Sequence, residues 1–281
     1  MRARVPASSA NLGPGFDSLA LALGLYVEVS LELADSLSVT SAGCGAGLYD
    51  DDRHLAVVVA REVLGHQDFS IHIDSQIPLA RGLGSSAALA IAAAAAAGSP
   101  NPLAVATRVD GHPENAGASL RGGLVAAAML DELPVVTTLS LDPALRFVLV
   151  IPNEELPTAQ ARGVLPETVP FADAVSNLTH MGLLIAGLAD HRQLLAAAMD
   201  DRLHQPYRGP LLPFVAPLMR GLRDAGALSS CWSGAGSTIL GVVTNETSAS
   251  VVNAATSLLR ELSVPGEVVV VDADLDGLAL S

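Results

Sequence analysis

A chain of 281 residues, half of them hydrophobic, carries apolar surface for one large domain or two modest ones and needs no covalent or metal staple to fold. Its 15 basic and 29 acidic residues give a formal charge of −14, which opposes nonspecific attraction to nucleic acid or anionic lipid and favours small-molecule work. All the Lys+Arg positions are arginine, so chemistries that need a lysine are excluded: the P-loop, the protein-kinase strand lysine and the pyridoxal Schiff base.

Along the chain, the opening stretch MRARVPASSANLGPGF has two arginines without a continuous apolar segment behind them, and no later run reaches the length of a membrane span. A cytoplasmic protein without signal peptide or transmembrane helix is expected, in keeping with two cysteines, Cys44 and Cys231, in no disulfide or zinc spacing. YVEVSLEL (26–33) and FSIHIDSQI (69–77) alternate apolar and polar side chains as half-buried strands do. SSAALAIAAAAAAG (85–98) has the alanine content and terminal glycine of a helix, with Ser85 or Ser86 expected to cap its first turn. From about Arg146 the pattern restarts: a buried-strand run RFVLVIP, helical stretches near 173–200 and 211–224, strand-like STILGVVT, a helix near 248–262 and strand-like GEVVVVDAD. Strands and helices alternate there as in a split β-α-β unit, and a soft boundary near 141–146 divides the chain into 1–143 and 144–281.

Three glycine-rich turns carry the chemistry. In IPLARGLGSSAALA (77–90) a flexible turn opens directly into a helix. Unpaired N–H groups at the positive end of the helix dipole attract phosphate without a side-chain cation, and the serine hydroxyls can cap the helix, hold phosphate oxygens or ligate a phosphate-bound Mg²⁺. VPASSANLGPGFDSLALAL (5–23) sets Gly13 and Gly15 around Pro14, with Asn11 and Asp17 on either side, and CWSGAGSTIL (231–240) supplies the third turn, Ser233 to Gly236.

With these three segments in order across most of its length, the chain resembles the GHMP kinases, and among them the homoserine kinases. The latter resemblance rests on PASSANLGPGFDSLALAL, DGHPENAGASLRGG, TAQARGVLP and LHQPYR. It implies an α+β fold with a ribosomal-protein-S5-like N-terminal domain that binds ATP and a ferredoxin-like C-terminal domain. It also implies a homodimer and transfer of the ATP γ-phosphoryl group to the side-chain hydroxyl of L-homoserine, in threonine biosynthesis. Carried over by residue, it assigns ATP phosphates to Arg81, Gly82, Leu83, Gly84, Ser85, Ser86, Ala87, Gly234 and Gly236, and Mg²⁺ to Ser86 and Asp110. Asn11, Asp17, His112 and Asn115 would line the amino-acid pocket, with Asn11, Asp17 and Asn115 at the reacting end and Asp17 facing the ammonium. Arg162 and Arg208 would hold the carboxylate, which suits planar guanidinium groups that donate two hydrogen bonds at once.

Plainer readings stand beside these. Asp110 before Gly111 is also a common turn pair, Arg81 is also an ordinary charge flanking a helix start, and Trp232 reads as a core side chain. His54, His66, His72, His180 and His191 read as structural or solvated, His204 as a supporting residue of the arginine segment, and YDDDR (49–53) as a solvated loop. The chain departs from the family pattern with Asp110 in place of Glu, Glu114 in place of Asp, Ser237 where Pro is frequent, and a short connection from Gly98 to Asp110. The rival readings are another GHMP small-molecule kinase and a catalytically silent member of the fold that binds ligand only.

Overall fold

Side-chain alternation makes two separate sheets, and helices close one face of each. A computed structural model describes residues 1–281. In the first part, strands β1 (Arg2–Asn11), β2 (Gly15–Leu33) and β3 (Ser38–Gly43) precede helix α1 (Leu55–Leu64) and strand β4 (Phe69–Ser75). Helices α2 (Ser85–Ala96), α3 (Pro102–Asp110) and α4 (Glu114–Arg121) then lead to strands β5 (Leu124–Leu130) and β6 (Leu133–Leu139). β1, β2 and β4 pair antiparallel, β3 joins β4 in parallel, and β5 and β6 extend the sheet from β2.

Helix α2 is apolar all round because it is enclosed all round, by α1, α3, α4 and the face of β1 and β2. Its alanines from Ala87 to Ala96 are all buried, and their small side chains let those neighbours approach closely. The expected serine cap is not what starts it. The N-cap is Gly84, in the left-handed region at φ +63°, while Ser85 and Ser86 already lie inside the first turn. Because no cap side chain covers the helix end, its N–H groups remain open to a ligand.

The second part contains β7 (Arg146–Pro152), α5 (Thr158–Gly163), α6 (Phe171–Ala189), α7 (Gln205–Arg208), α8 (Val215–Asp224), β8 (Ser229–Trp232), β9 (Ile239–Val243), α9 (Asn245–Glu261) and β10 (Gly266–Val271). The antiparallel strand order β10-β7-β9-β8, with helices between β7 and β8 and between β9 and β10, is the β-α-β-β-α-β arrangement of ferredoxin-like folds. The chain then crosses back, and a last short strand, β11 (Ala279–Leu280), pairs with β1. No helix is long and apolar enough to cross a membrane.

The helix expected over 173–200 ends at Ala189. Asp190 is extended (φ −148°), and its side chain accepts from Arg192 N–H to cap a single 3₁₀ turn at 191–193. This corner is clipped to the connection between the two sheets by Asp142, whose carboxylate accepts from Ala144 N–H at 2.9 Å, His191 N–H at 2.9 Å and His191 Nδ1 at 2.7 Å. Those donors hold the Asp142 carboxyl down at about 2. A depressed folded value means the stabilisation is fully present above the ordinary aspartate range and is lost as pH falls through about 2. Asp142→Asn is therefore expected to lower Tm at pH 7, with the gap to the wild type narrowing steadily from pH 5 to pH 3 in a thermal-melt series.

Candidate active site

The three turns meet between the sheets. β1 ends at Asn11 (φ +71°), and its side chain locks the first turn: Nδ2 donates to Gly234 O at 2.8 Å and Oδ1 accepts from Asp17 N–H at 3.1 Å. The second turn is sewn to the third by Ser233 Oγ donating to Gly82 O (2.7 Å) and Thr238 N–H to Arg81 O (3.2 Å), and to β1 by Ser8 N–H to Leu83 O (3.1 Å). A Cβ on Gly82 would lie 2.1 Å from Ser233 O, and one on Gly84 would lie 2.1 Å from Ser8 Oγ, so both glycines are dictated by close approach as well as by positive φ. The N–H groups of Ser85, Ser86 and Ala87 donate to no carbonyl of the chain, an arrangement that can cradle an anion with main-chain dipoles alone.

Beside the cradle, Ser86 Oγ donates to Asp110 Oδ1 at 2.6 Å. Burial, and then the nearby Glu114 charge, push the Asp110 carboxyl up, while Ser86, His112 and Arg162 oppose the shift. α3 fills the short connection from Gly98 and delivers Asp110 at its own last residue, and Gly111 (φ +83°) turns the chain into His112. Nδ1 of His112 lies 2.7 Å from Glu114 Oε1, and this carboxylate raises the imidazole against the effect of burial. Glu114 is 1% exposed, and its Oε2 accepts no hydrogen bond. Asn115 Oδ1 accepts from Ser8 Oγ at 2.9 Å.

The opposite wall carries the cations. Arg162, from α5, makes a two-pronged pair with Asp17 (Nη2 to Oδ1 2.6 Å, Nη1 to Oδ2 3.1 Å), each side chain being 35% exposed. Arg208, from α7, is 1% exposed, and burial and then the Arg162 charge push it down to about 10. The Phe16 ring lies 5.5 Å and 5.4 Å from the two guanidinium carbons.

A single cavity of about 540 Å³ gathers Asn11, Asp17, Arg81, Gly82, Leu83, Gly84, Ser85, Ser86, Asp110, His112, Asn115, Arg162, Arg208 and Gly234. Two residues expected on the phosphates are not among those lining it: Ala87, whose side chain is buried in the helix packing and which offers only its unpaired N–H, and Gly236, which lies against the Trp232 ring, where a Cβ would come within 2.6 Å. Arg81 lines the cavity, but its guanidinium is committed to Leu79 O, Pro152 O and Asn153 O, tying the turn to the end of β7. Sequence reasoning missed Glu114 as a wall residue, although it lies inside a quoted segment. It also missed Cys44, Leu48, Tyr49 and His54, which come from the loop after β3 and carry no motif. His54 has a structural task as well, its Nδ1 accepting from Ala56 N–H to cap α1.

Residues 53–123 match the model of the GHMP kinases N terminal domain and residues 184–260 that of the GHMP kinases C terminal. The chain belongs to the GHMP kinase family. A homoserine kinase of Moorella thermoacetica is 39% identical over 84% of this chain and 85% of its own, and one of Desulfitobacterium hafniense is 33% identical over 100% and 99%. Among solved structures, a homoserine kinase of Cytophaga hutchinsonii superposes with a TM-score of 0.86 at 26% identity, covering 99% of this chain and 96% of its own. L. major mevalonate kinase shares the fold, with a TM-score of 0.74 at 15% identity over 96% of this chain and 95% of its own. The two-domain α+β GHMP architecture therefore holds for this kinase, and ATP is its co-substrate.

Proposed function

We propose that this GHMP kinase is a homoserine kinase, transferring the γ-phosphoryl group of ATP to the side-chain hydroxyl of L-homoserine to give O-phospho-L-homoserine. The observation that carries this reading is a lysine-free phosphate cradle in the same cavity as one anionic side chain, Asp17, and two cationic ones, Arg162 and Arg208, which can meet the opposite charges of a zwitterion. The triphosphate lies on the N–H groups at the start of α2, held by Gly82, Gly84, Ser85 and Ser86. The amino acid lies between Asp17, His112 and Asn115 on one side and Arg162 and Arg208 on the other. The hydroxyl oxygen attacks the γ-phosphorus as the bond to the bridging β,γ oxygen breaks. In a loose transition state the hydroxyl proton leaves late, so positioning by Asn11 and Asn115 matters more than a strong base. The division at 143/144 puts the cradle on the first part and both arginines on the second.

The donor set beside the cradle fits Mg²⁺. A hydroxyl and a carboxylate are hard oxygen ligands, and the upward push on half-buried Asp110 is the cost a cation would offset. Ser86 and Asp110 would hold the ion, which when bound supplies charge neutralisation on the phosphate oxygens. Asp110→Asn is expected to lower kcat by about ten- to a hundredfold and to raise the Mg²⁺ concentration needed for half-maximal rate.

The direct test is ADP release coupled to product mass, with L-homoserine, L-threonine, L-serine and mevalonate as acceptors. Preferential turnover of homoserine supports the reading. ATP binding without turnover of any acceptor sinks it in favour of a silent member of the fold.

A further inference from the structure

His204 stands outside the cavity wall, yet it is fully buried and touches the wall from behind. Its partners fix its chemical form. Nε2 lies 2.9 Å from Gly13 O, and a carbonyl can only accept, so Nε2 carries the proton. Nδ1 lies 3.1 Å from Arg208 Nη1, and a guanidinium can only donate, so Nδ1 is the bare acceptor. Asp201 is occupied elsewhere: its oxygens accept from the N–H groups of Leu203 (2.8 Å), His204 (2.9 Å) and Gln205 (2.6 Å) and from Asn177 Nδ2 (2.9 Å). Its 3.6 Å approach to Nε2 lies beyond hydrogen-bond range. Burial independently pushes the imidazole down, toward the neutral form.

The consequence falls on Arg208. Its Nε donates to Ala161 O (3.1 Å), and Nη1 is shared between His204 Nδ1 and Gly234 O (3.0 Å). Nη2 makes no hydrogen bond within the chain, while the residue lines the cavity. Nε and Nη1 are thus pinned, and the Nη2 amino group is the part left to offer. Phe16 stacks on the imidazole with ring centres 5.1 Å apart and keeps the plane from tipping. Resting on the homoserine kinase reading, we propose that His204 is a positioning residue: as a neutral Nε2–H imidazole it holds Arg208 so that the free Nη2 amino group faces the carboxylate of the amino-acid substrate.

The test compares L-homoserine with L-homoserinol, which lacks the carboxylate. In the wild type, homoserine is favoured in kcat/KM. In His204→Leu, the homoserine KM rises about tenfold or more, the size of a lost hydrogen bond to a charged group, and the preference over homoserinol shrinks by a like factor. The KM for ATP moves by less than about twofold, since no phosphate contact changes. His204→Asn, which keeps an acceptor near the Nδ1 position, recovers most of the preference, as a purely structural loss would not. Should the leucine variant fail to fold, the asparagine variant and the wild-type tautomer carry the test: long-range ¹H–¹⁵N correlation at neutral pH is expected to find Nε2 protonated and Nδ1 bare. An unchanged homoserine-to-homoserinol preference in His204→Leu, a His204→Asn variant that folds yet loses most of the preference, or an imidazolium or Nδ1–H form in the wild type overturns the proposal alone. A wild type that phosphorylates neither compound overturns the functional reading, and the proposal with it.

Discussion

Gly82→Ala and Gly84→Ala are each expected to cut kcat/KM for ATP by at least about a hundredfold, the rate loss that follows a displacement of roughly 1 Å at a reacting centre. The reason is steric and local. A methyl group on Gly82 would sit 2.1 Å from Ser233 O and 2.8 Å from Gly236 N, and both are backbone atoms of the third turn that cannot swing aside. The two turns must separate, which breaks the bond from Ser233 Oγ to Gly82 O and shifts the N–H groups that follow. On Gly84 the methyl meets Ser8 Oγ at 2.1 Å and Asn115 Oδ1 at 3.0 Å, so the disturbance reaches the amino-acid side as well. Both positions also have positive φ (+72° and +63°), which adds roughly 1 kcal/mol or more of strain for an L side chain. Steady-state kinetics with varied ATP, alongside thermal melts, separate the two contributions. Normal ATP kinetics in either variant would mean that the triphosphate lies elsewhere.

The sheets and the cradle were legible in the residues because they depend on local rules: alternation in β2 and β4, alanine content in α2, and glycine at the positive-φ positions 82 and 84 of the cradle turn. What failed to show depends on tertiary choices. Ser85 and Ser86 read as caps by residue type, but Asp110 arrives from 24 residues away to take the Ser86 hydroxyl, and Gly84 is left as the cap. The long helix after 171 ends early because Asp190 caps the next turn in preference to continuing the helix. YDDDR (49–53) reads as a solvated loop, and Tyr49 is indeed 53% exposed, but Tyr49 also lines the cavity, a contact no local pattern encodes. Glu114 was visible as a substitution of one acid for another, but its burial came only from its place at the start of α4.

Arg162→Ala is expected to raise the homoserine KM about ten- to a hundredfold, with a smaller effect on kcat, because it removes a charged contact present in ground and transition states alike. Asp17→Asn acts in the same direction from the ammonium end. The more telling quantity is their combination. Without amino acid, these two side chains satisfy one another at 2.6 Å and 3.1 Å, and substrate must part them. At 35% exposure each, the pair is worth no more than about 1 kcal/mol, so exchanging it for the opposite charges of a zwitterion is easily afforded. Each single variant loses a substrate contact but is spared the work of parting the pair, whereas the double variant loses both contacts and is spared that work only once. The KM of Arg162→Ala/Asp17→Asn should therefore exceed the product of the two single factors by up to about fivefold, the equivalent of that 1 kcal/mol. A double variant equal to the simple product would mean that the pair does not form in the free enzyme and that substrate enters a site already open.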